Sequence, residues 1–555
     1  MTEITADEAA PGATRRASMT TVVAASAAST AFEWYDFFIF GSLVQVISRN
    51  FFAQLGPTAG LVAALALFGV GFAFRPLGAL IFGRIGDRLG RKSAFLICVS
   101  MMGAGTFCIG LLPTSAQIGA AAPILLVALR VLQGTALGGQ YGGAAIYVAE
   151  HAPSGRRGYH TGWVQTSAAL GLIAALSVIF VVRRLGGEAA FAAGGWRAPF
   201  LMSAGLVAIS IWMRLRLAES PAFEKLKQTG GPARAPFTEA FLRWPNLKLV
   251  LIALVALMCA QCAYWYTVFF YSQVFMEKFL KVGDGYANLM ILIIAWVSAP
   301  LYIFFGALSD KVGRKWVMWA GMTLGLVTLF PGFMLLSAAA NPALAAASAR
   351  TPVVVAADPG DCTLQFDPTG RTRFLSSCDI AKAALANAGI GYRNVAGPAG
   401  RPAVVSVGGA RVVSIDGRGL GASQLKAATA RVDAGIAKAL ARAGYPARAD
   451  PARRNDLVVV AVLVVFTIAA TALYGPMAAS LAELFPTRVR YTALSAPYHL
   501  GIGWIGGFQP VASFSIVVAT GNIYAGLWYP AIFTAISVIA CLFLLPETRG
   551  RALEA

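Results

Sequence analysis

The sequence predicts an all-α polytopic membrane protein with twelve transmembrane helices in two six-helix bundles and a small α/β extracytoplasmic insertion. Three observations lead to this fold class. Of the 555 residues, 57% are hydrophobic and only 13% are charged, whereas about 25% charged is usual in soluble domains. Two charged, Gly-rich runs repeat between apolar segments, and one long polar stretch, residues 341–455, interrupts the second half.

The two repeated runs relate the halves of the chain to each other. Gly83–Lys92 and Gly306–Lys315 place Gly, Asp, Gly, Arg and Lys at the same spacing, so that Asp87 in the first run corresponds to Asp310 in the second. A charged turn that recurs in both halves of a membrane chain is typical of a secondary transporter built from two similar bundles.

Two further matches locate the insertion. Glu150 and Glu483 stand in similar runs, and Glu219 and Glu547 stand in looser ones. The members of these two pairs lie much farther apart along the chain than Asp87 and Asp310 do, so the second half carries an insertion between its first and second matched runs. Residues 341–455 account for the difference, because there the apolar runs stop and Pro, Gly, Asp and Arg become frequent.

Twelve apolar segments remain, each near the 20 residues that a transmembrane helix needs. The predicted spans lie near 22–46, 58–82, 94–112, 122–148, 160–182, 197–217, 247–275, 286–308, 316–338, 457–481, 490–518 and 525–545. They divide the chain into a cytoplasmic tail (1–20), a first six-helix bundle (21–217), a central cytoplasmic loop (218–246), spans 7–9 (247–340), the periplasmic insertion (341–455), spans 10–12 (456–546) and a cytoplasmic tail (547–555).

Charge in the short loops predicts the orientation. Lys and Arg concentrate in the loops after even-numbered spans, whereas the loop at 113–123 has none. The rule that cytoplasmic loops are basic therefore puts both termini in the cytoplasm and the protein in the cell inner membrane. These basic loops explain much of the net charge of +20. The sequence has no nucleic-acid-binding motif, so the charge does not indicate that the protein binds nucleic acid.

The insertion is predicted to be a small α/β module. Residues 402–407 and 411–415 predict two strands joined by a Gly-Gly turn, and residues 423–443 have the periodicity of a helix. Cys362 and Cys378 are candidates for a disulfide in an oxidising compartment. The segment has no His and no metal-ligand cluster, so a structural cap is favoured over an enzyme, and it is a candidate surface for periplasmic contacts.

Four ionisable residues inside predicted spans indicate function, because charge within a bilayer is costly. Glu33 and Asp36 are three residues apart and share a helix face. Arg75 and Arg130 are their expected counterions. A carboxylate that alternates between pairing with an arginine and holding a proton is the minimal part for proton-coupled symport. The alternative is a static ion pair that locks two helices.

Uncharged polar residues extend this candidate site. The substrate-binding candidates are Arg75, Arg130, Gln133, Gln140, Tyr264, Tyr266, Gln273 and Tyr498. Packing alone is the alternative for the aromatic residues, although buried polar tips need partners. His499 is expected to be a hydrogen-bonded core histidine rather than a proton carrier.

The repeated runs supply candidates for gating. Each Asp is placed to pair with a neighbouring Arg or with a helix N-terminus, closing the cytoplasmic side. The gating candidates are Asp87, Arg88, Arg91, Lys92, Asp310, Arg314 and Lys315.

The repeated runs resemble the signature of the major facilitator superfamily. Residues 33–37 (Glu-Trp-Tyr-Asp-Phe), 75–78 (Arg-Pro-Leu-Gly) and 132–134 (Leu-Gln-Gly) resemble its metabolite:H+ symporter family. The resemblance implies the major facilitator fold, a central site between the bundles and transport driven by a proton gradient. Many members carry Glu where this chain has Gln140, which leaves Glu33 and Asp36 as the proton-site candidates.

These patterns predict a proton-coupled symporter that imports a small metabolite, with a mono- or dicarboxylate as the first choice. A zwitterionic osmolyte such as proline or betaine is the alternative substrate, and a membrane sensor that uses the insertion is an alternative of another class. The expected partners are the metabolite, protons and the lipid bilayer. No cofactor, metal or enzymatic activity is expected, because nucleotide-binding and metal-binding motifs are absent from the sequence.

Overall fold

The chain is helical over most of its length, with one small sheet in the second half. The computed structural model describes residues 18–55, 63, 64, 67, 69–215, 219–229, 235–363 and 375–553. Most of the tail 1–20, part of predicted span 2 and parts of the loops around 218 and 230 lie outside the described residues. Within the described part, nine helices are long and apolar enough to cross a membrane.

Helices occur at all the predicted span positions. In the first half they are Met19–Ser42 (span 1), Arg75–Leu89 (span 2), Arg91–Leu111 (span 3), Ala121–His151 (span 4), Arg157–Ala190 (span 5) and Arg197–Leu215 (span 6). In the second half they are Trp244–Phe279 (span 7), Asp284–Val312 (span 8), Arg314–Ala340 (span 9), Asp456–Tyr474 with Met477–Leu484 (span 10), Arg490–Thr520 (span 11) and Trp528–Phe543 (span 12). Short helices at Val44–Phe51, Ser115–Ile118, Pro221–Thr229 and Pro236–Phe241 lie between or beside them.

The repeated runs are sharp corners between consecutive spans. Gly90 separates spans 2 and 3 with a φ of 110°, and Gly313 separates spans 8 and 9 with a φ of 120°. A side chain at either position would be strained, since this region of φ favours glycine. A Cβ on Gly90 would also meet the Glu219 carboxylate, and one on Gly313 would meet that of Glu547. Both glycines are therefore required by the turn and by the close approach.

The two bundles meet closely along span 5. Gly158 of span 5 faces Gly306 of span 8 so closely that a Cβ on either would meet the backbone of the other. Further along span 5, a Cβ on Gly162 would meet the backbone of Tyr302 in span 8. Small residues that let helices approach in this way are usual in membrane bundles.

The described residues of the insertion, 341–363 and 375–455, form a small α/β unit with its own hydrophobic core. Its strands are Val354–Ala357 (β1), Arg393–Ala396 (β2), Val404–Val407 (β3) and Ala410–Val413 (β4), in the order β2-β1-β3-β4. The predicted hairpin is confirmed as the antiparallel pair β3–β4. The sequence did not predict β1 and β2, which pair in parallel.

Three helices pack beside this sheet, Pro342–Arg350, Ser377–Asn387 and Ala422–Arg442. The last of these corresponds to the predicted helix at 423–443. Cys362 and Cys378 are joined by a disulfide, with their Cα atoms 5.2 Å apart.

The insertion is fastened to the second bundle. The backbone N–H of Tyr392 donates to the Gly521 carbonyl at 2.7 Å, and its hydroxyl donates to the Val518 carbonyl. Asn394 donates to the last carbonyls of span 11. Asn341 donates to the Leu280 carbonyl at 2.9 Å. Within the described residues, all hydrogen bonds between the insertion and the membrane-spanning helices go to the second bundle.

Candidate functional site: a sealed end and a buried chamber

The two repeated aspartates cap helices of the opposite bundle. Asp87 accepts hydrogen bonds at 3.1 and 2.9 Å from the second and third N–H groups of span 11. Asp310 accepts them at 2.9 and 2.8 Å from the second and third N–H groups of span 5. The first turn of a helix has unpaired N–H groups and a positive dipole end, both of which a carboxylate satisfies. We call the end of the molecule that holds the corners at Gly90 and Gly313 the repeat-loop end.

Two buried ion pairs also cross between the bundles at this end. Glu150 of span 4 pairs with Arg490 of span 11 at 2.7 Å, and Glu483 of span 10 pairs with Arg157 of span 5 at 3.3 Å. All four side chains are at most 7% exposed. Breaking one partner of such a pair leaves an uncompensated buried charge, which is costly.

The same glutamates bind an arginine of their own bundle. Arg91 lies 3.8 Å from Glu150 and 3.4 Å from Asp87. Arg314 lies 3.3 Å from Glu483 and 2.6 Å from Asp310. Each half therefore contributes an equivalent cluster of Asp, Glu and Arg, and together the clusters seal the repeat-loop end.

The lysines of the repeated runs act within their own bundle instead. Lys92 donates to the Leu215 carbonyl at the end of span 6 at 3.0 Å, and Lys315 donates to the Leu542 carbonyl near the end of span 12 at 2.8 Å. Within the described part of the chain, Arg88 forms no hydrogen bond or ion pair with the second bundle. Of the seven gating candidates, Asp87 and Asp310 contact the other bundle through a helix N-terminus, and Arg91 donates to the Thr487 carbonyl there.

A polar cluster lies inside the first bundle. Gln133 donates to the Thr106 hydroxyl at 2.7 Å and accepts from Arg130 at 3.0 Å. Asp36 lies within hydrogen-bonding reach of the same hydroxyl. The Arg130 guanidinium stands 4.1 Å from the centre of the Phe40 ring. Asp36 and Arg130 are thus connected through Thr106 and Gln133 rather than by the direct ion pair that the sequence suggested.

A small chamber lies between the bundles. The chamber is lined by Thr30, Glu33, Trp34, Phe37, Arg75, Leu137, Tyr141, Tyr498 and His499, and has a volume of about 30 Å³. Arg75 is held between two rings, with its guanidinium carbon 5.3 Å from the centre of Phe37 and 4.5 Å from that of Phe72. Glu33 is close enough for its charge to act on Arg75. The chamber therefore combines one cation and one carboxylate with aromatic walls.

Tyrosines from both bundles form one wall of the chamber. Tyr141 of span 4 stacks on Tyr498 of span 11 with 3.7 Å between ring centres. The Tyr498 and Tyr474 hydroxyls lie 2.7 Å apart, and Gln165 donates to the Tyr141 hydroxyl at 2.7 Å. These bonds fix the rings, because a buried hydroxyl with partners on two helices has one favoured orientation.

A much larger cavity of about 1070 Å³ opens beyond the chamber, on the side away from the repeat-loop end. Spans 1, 5, 7 and 8 line it, with Gln45, Arg49, Gln273, Glu277 and Asn288 among its polar residues. Trp34 and Trp265, whose ring centres are 6.2 Å apart, lie between the two spaces. The molecule is thus closed at one end and hollow towards the other.

The structure brings some of the predicted substrate-binding residues together and separates others. Tyr266 lies beside the chamber, with its ring centre 6.1 Å from that of Phe72. Gln273 lines the large cavity, where it donates to Glu277 and Asn288. Tyr264 instead faces Gly325 of span 9, inside the second bundle.

Gln140 is buried, and within the described residues neither atom of its amide has a hydrogen-bond partner. It does not line the chamber.

Sequence reasoning did not assign several residues that the structure brings to these sites. The similar runs at 149–157 and 482–490 contain the four residues of the crossing ion pairs, so their symmetry was a usable signal for the seal: Glu150, Arg157, Glu483 and Arg490. Tyr141, Tyr474 and Gln165 had no signal beyond being polar groups in apolar helices. His499 was expected to have hydrogen bonds, yet neither ring nitrogen has a partner among the described residues.

Comparison with known proteins identifies the fold. The family model "Major Facilitator Superfamily" matches residues 26–357. The chain belongs to this superfamily. A second model, "Sugar (and other) transporter", matches residues 434–555. The unmatched residues between them lie within the insertion.

Curated transporters are similar to somewhat more than half of the chain. The shikimate transporter of Escherichia coli is 38% identical over 321 residues, which are 56% of this chain and 72% of that protein. The proline/betaine transporter of Escherichia coli is 33% identical over 327 residues, 57% of this chain and 64% of that protein. The resemblance to the metabolite:H+ symporter family is confirmed, and the chain is a multi-pass membrane transporter of this family.

A solved structure with the same fold is the proton:xylose symporter XylE bound to 6-bromo-6-deoxy-D-glucose. It is 15% identical, with a TM-score of 0.61, over 97% of this chain and 98% of that one. The predicted fold class, two bundles of the major facilitator type with a small inserted sheet, is confirmed.

Proposed function

We propose that this transporter imports a small organic acid together with a proton, by alternating access. The observation that carries the proposal is the Arg75 guanidinium, buried beside Glu33 in a chamber between the two bundles. A guanidinium binds a carboxylate with two parallel hydrogen bonds. Burial strengthens this attraction, because the surroundings screen charge less than water does.

Arg75 is prepared for such a ligand. The rings of Phe37 and Phe72 hold the guanidinium in place, so little freedom is lost when the acid binds. Glu33 is the competing anion. A proton on Glu33 would remove that competition, so binding of the acid and binding of a proton favour each other.

The second carboxylate, Asp36, supports proton coupling. It shares the Thr106 hydroxyl with Gln133, which in turn accepts from Arg130. A charge change at Asp36 is thereby transmitted to span 4 through a connected set of hydrogen bonds. We assign Asp36 as the principal proton-coupling group and Glu33 as the group that links protonation to the acid.

Alternating access is supported by the difference between the two ends of the molecule, which is closed at the repeat-loop end and hollow at the other. The basic loops put the repeat-loop end in the cytoplasm, so the large cavity faces the periplasm and the acid enters there. Both termini are then cytoplasmic, and the protein is placed in the cell inner membrane. Breaking the seal at Glu150 and Glu483 would let the bundles part at the cytoplasmic side and release the acid.

A zwitterionic osmolyte is the second candidate substrate. The rings of Trp34, Phe37, Tyr141 and Tyr498 surround the chamber, and aromatic faces attract quaternary or secondary ammonium groups. Arg75 would then hold the carboxylate of the same zwitterion.

Uptake into proteoliposomes tests the proposal. Purified full-length protein is reconstituted, an inward proton gradient is imposed, and labelled shikimate, malate, 2-oxoglutarate, proline and betaine are compared. Accumulation of an acid that collapses with a protonophore supports acid–proton symport. Gradient-driven accumulation of betaine or proline alone supports the osmolyte alternative, and gradient-independent uptake contradicts proton coupling.

A further inference from the structure

His499 is a buried residue of the chamber whose two ring nitrogens both lack a hydrogen-bond partner within the described residues. Its side chain is 1% exposed, and within the described residues neither ring nitrogen finds a donor or acceptor. Buried polar groups in native proteins nearly always have a partner, so each exception needs an explanation. An absent ligand is one such explanation, and His499 lines the chamber that contains Arg75.

The ring of His499 is held in a defined position. It stands edge-on to Tyr498, with ring centres 5.0 Å apart and planes at 86°. Tyr498 is itself fixed by its stack on Tyr141 and by the Tyr474 hydroxyl. A polar side chain on such a rigid support is pre-organised to bind a ligand atom at one place.

The location of His499 complements that of Arg75. Arg75 belongs to span 2 of the first bundle, and His499 belongs to span 11 of the second. A ligand that touches both would join the two bundles. The chamber now has room for only about one or two water molecules. The chamber must therefore widen when such a ligand enters.

We propose that His499 binds a second oxygen group of the acid whose carboxylate Arg75 holds. This inference rests on the proposed function and narrows it to hydroxy-, oxo- or dicarboxylic acids. Imidazole donates at least one hydrogen bond in either protonation state, so it needs an acceptor oxygen on the ligand. A simple monocarboxylate or betaine has no oxygen group besides the carboxylate that Arg75 holds, so it offers no second group to His499 on the other bundle.

Paired ligands test the inference. Binding to the full-length protein is measured by isothermal titration calorimetry with shikimate and with 1-cyclohexene-1-carboxylate, which has the same ring and carboxylate but no hydroxyl groups. Lactate and propionate form a second pair. We expect the wild-type protein to prefer the hydroxylated member by about tenfold or more, since a buried group left unpaired costs on that order.

Variants of His499 test whether this side chain causes the preference for the hydroxylated acid. His499→Phe keeps a ring against Tyr498 and should reduce the preference to about twofold or less, by weakening only the hydroxylated acid. His499→Gln keeps a donor and should retain much of the preference. His160→Phe is the matched control, a half-buried histidine at the repeat-loop end, and should leave the preference unchanged.

The outcomes separate this inference from the proposed function. A preference that is equal in wild type and His499→Phe overturns the role of His499, while binding of the acids still supports an acid carrier. Equal binding of both members by the wild type also overturns it, even if His499→Phe fails to fold. Absence of binding for every acid, with betaine bound, contradicts the proposed function itself.

Discussion

The two halves of the molecule are nearly equivalent at the repeat-loop end and unlike in the middle of the membrane. At the repeat-loop end, the ion pairs Asp87–Arg91, Arg91–Glu150 and Glu150–Arg490 have counterparts in Asp310–Arg314, Arg314–Glu483 and Glu483–Arg157. In the middle, the described charged residues that line the chamber or form the polar cluster beside it belong to the first half. Arg75 stands twelve residues before Asp87, whereas Ser298 occupies the equivalent position before Asp310.

A second position shows the same contrast. Arg130 stands twenty residues before Glu150, and Leu463 stands twenty before Glu483. The second half instead supplies uncharged groups to the chamber, Tyr498 and His499. The symmetric end is suited to motion, because both bundles must close against each other in the same way. The asymmetric middle is suited to chemistry, because a ligand has two different ends.

The largest expected effect is at Arg75. Arg75→Gln removes the guanidinium from the chamber and should weaken binding of the transported acid by about 100-fold, typical for loss of one partner of a buried charged pair. Ser298→Ala is the matched control at the equivalent position, and should leave the affinity unchanged. Calorimetric titration of both variants measures the effect. A similar loss in both would contradict the asymmetry of the middle region.

Asp36→Asn should abolish accumulation driven by a proton gradient, while substrate exchange across the membrane continues. The amide keeps the contact with Thr106 but cannot gain or lose a proton at neutral pH. Gradient-driven uptake and counterflow in proteoliposomes separate the two activities. Accumulation equal to the wild type would remove Asp36 from the proton path and move the role to Glu33.

Glu150→Gln and Glu483→Gln should each loosen the repeat-loop end, and by similar amounts. Each variant weakens a buried ion pair between the bundles, with arginines left short of negative charge. Ser495→Cys is a reporter, because this buried position lies against Gly142 where the bundles meet. Its maleimide labelling should be faster by about tenfold in either variant. Rates that differ greatly between the two would break the equivalence of the halves.

The smallest effect on transport is expected in the insertion. Cys362→Ala with Cys378→Ala opens a loop of 16 residues, which should lower the stability of the module by about 3 kcal/mol. Uptake should remain close to that of the wild type, since the module touches neither the chamber nor the seal. Limited proteolysis measures the stability, and a lost transport activity would show that the insertion takes part in the cycle.

The seal could be predicted from the sequence more fully than the chamber. Asp87 and Asp310 could be assigned because their spacing repeats and because a carboxylate has few partners at a membrane corner other than arginine or a helix N-terminus. Glu33 and Arg75 could be found because charge is rare in apolar helices. For the aspartates of the seal and for the charged residues of the chamber, the charge of the side chain alone restricts which partners it can have.

The orientation of the aromatic residues in span 7 could not be predicted. Residues Thr267–Tyr271 and Phe275–Phe279 form π-helical turns, each of which adds a residue to its turn. An extra residue shifts every later side chain by about 100° around the axis. Tyr264 faces span 9 and Gln273 lines the large cavity, although the sequence analysis placed both on one stripe. Nine residues at about 100° each already place them on opposite faces of a regular helix, and the turn at Thr267–Tyr271 changes that angle further. Strands β1 and β2 were missed because their pairing joins distant parts of the chain.

The insertion begins and ends at nearly the same place. The backbone N–H of Asn455, its last residue, donates to the carbonyl of Ala339, just before its first residue, at 2.9 Å. A segment whose two ends meet can be exchanged for another folded unit without stretching the helices on either side. This position is thus suited to the insertion of a fluorescent protein or an affinity tag that would report on the second bundle.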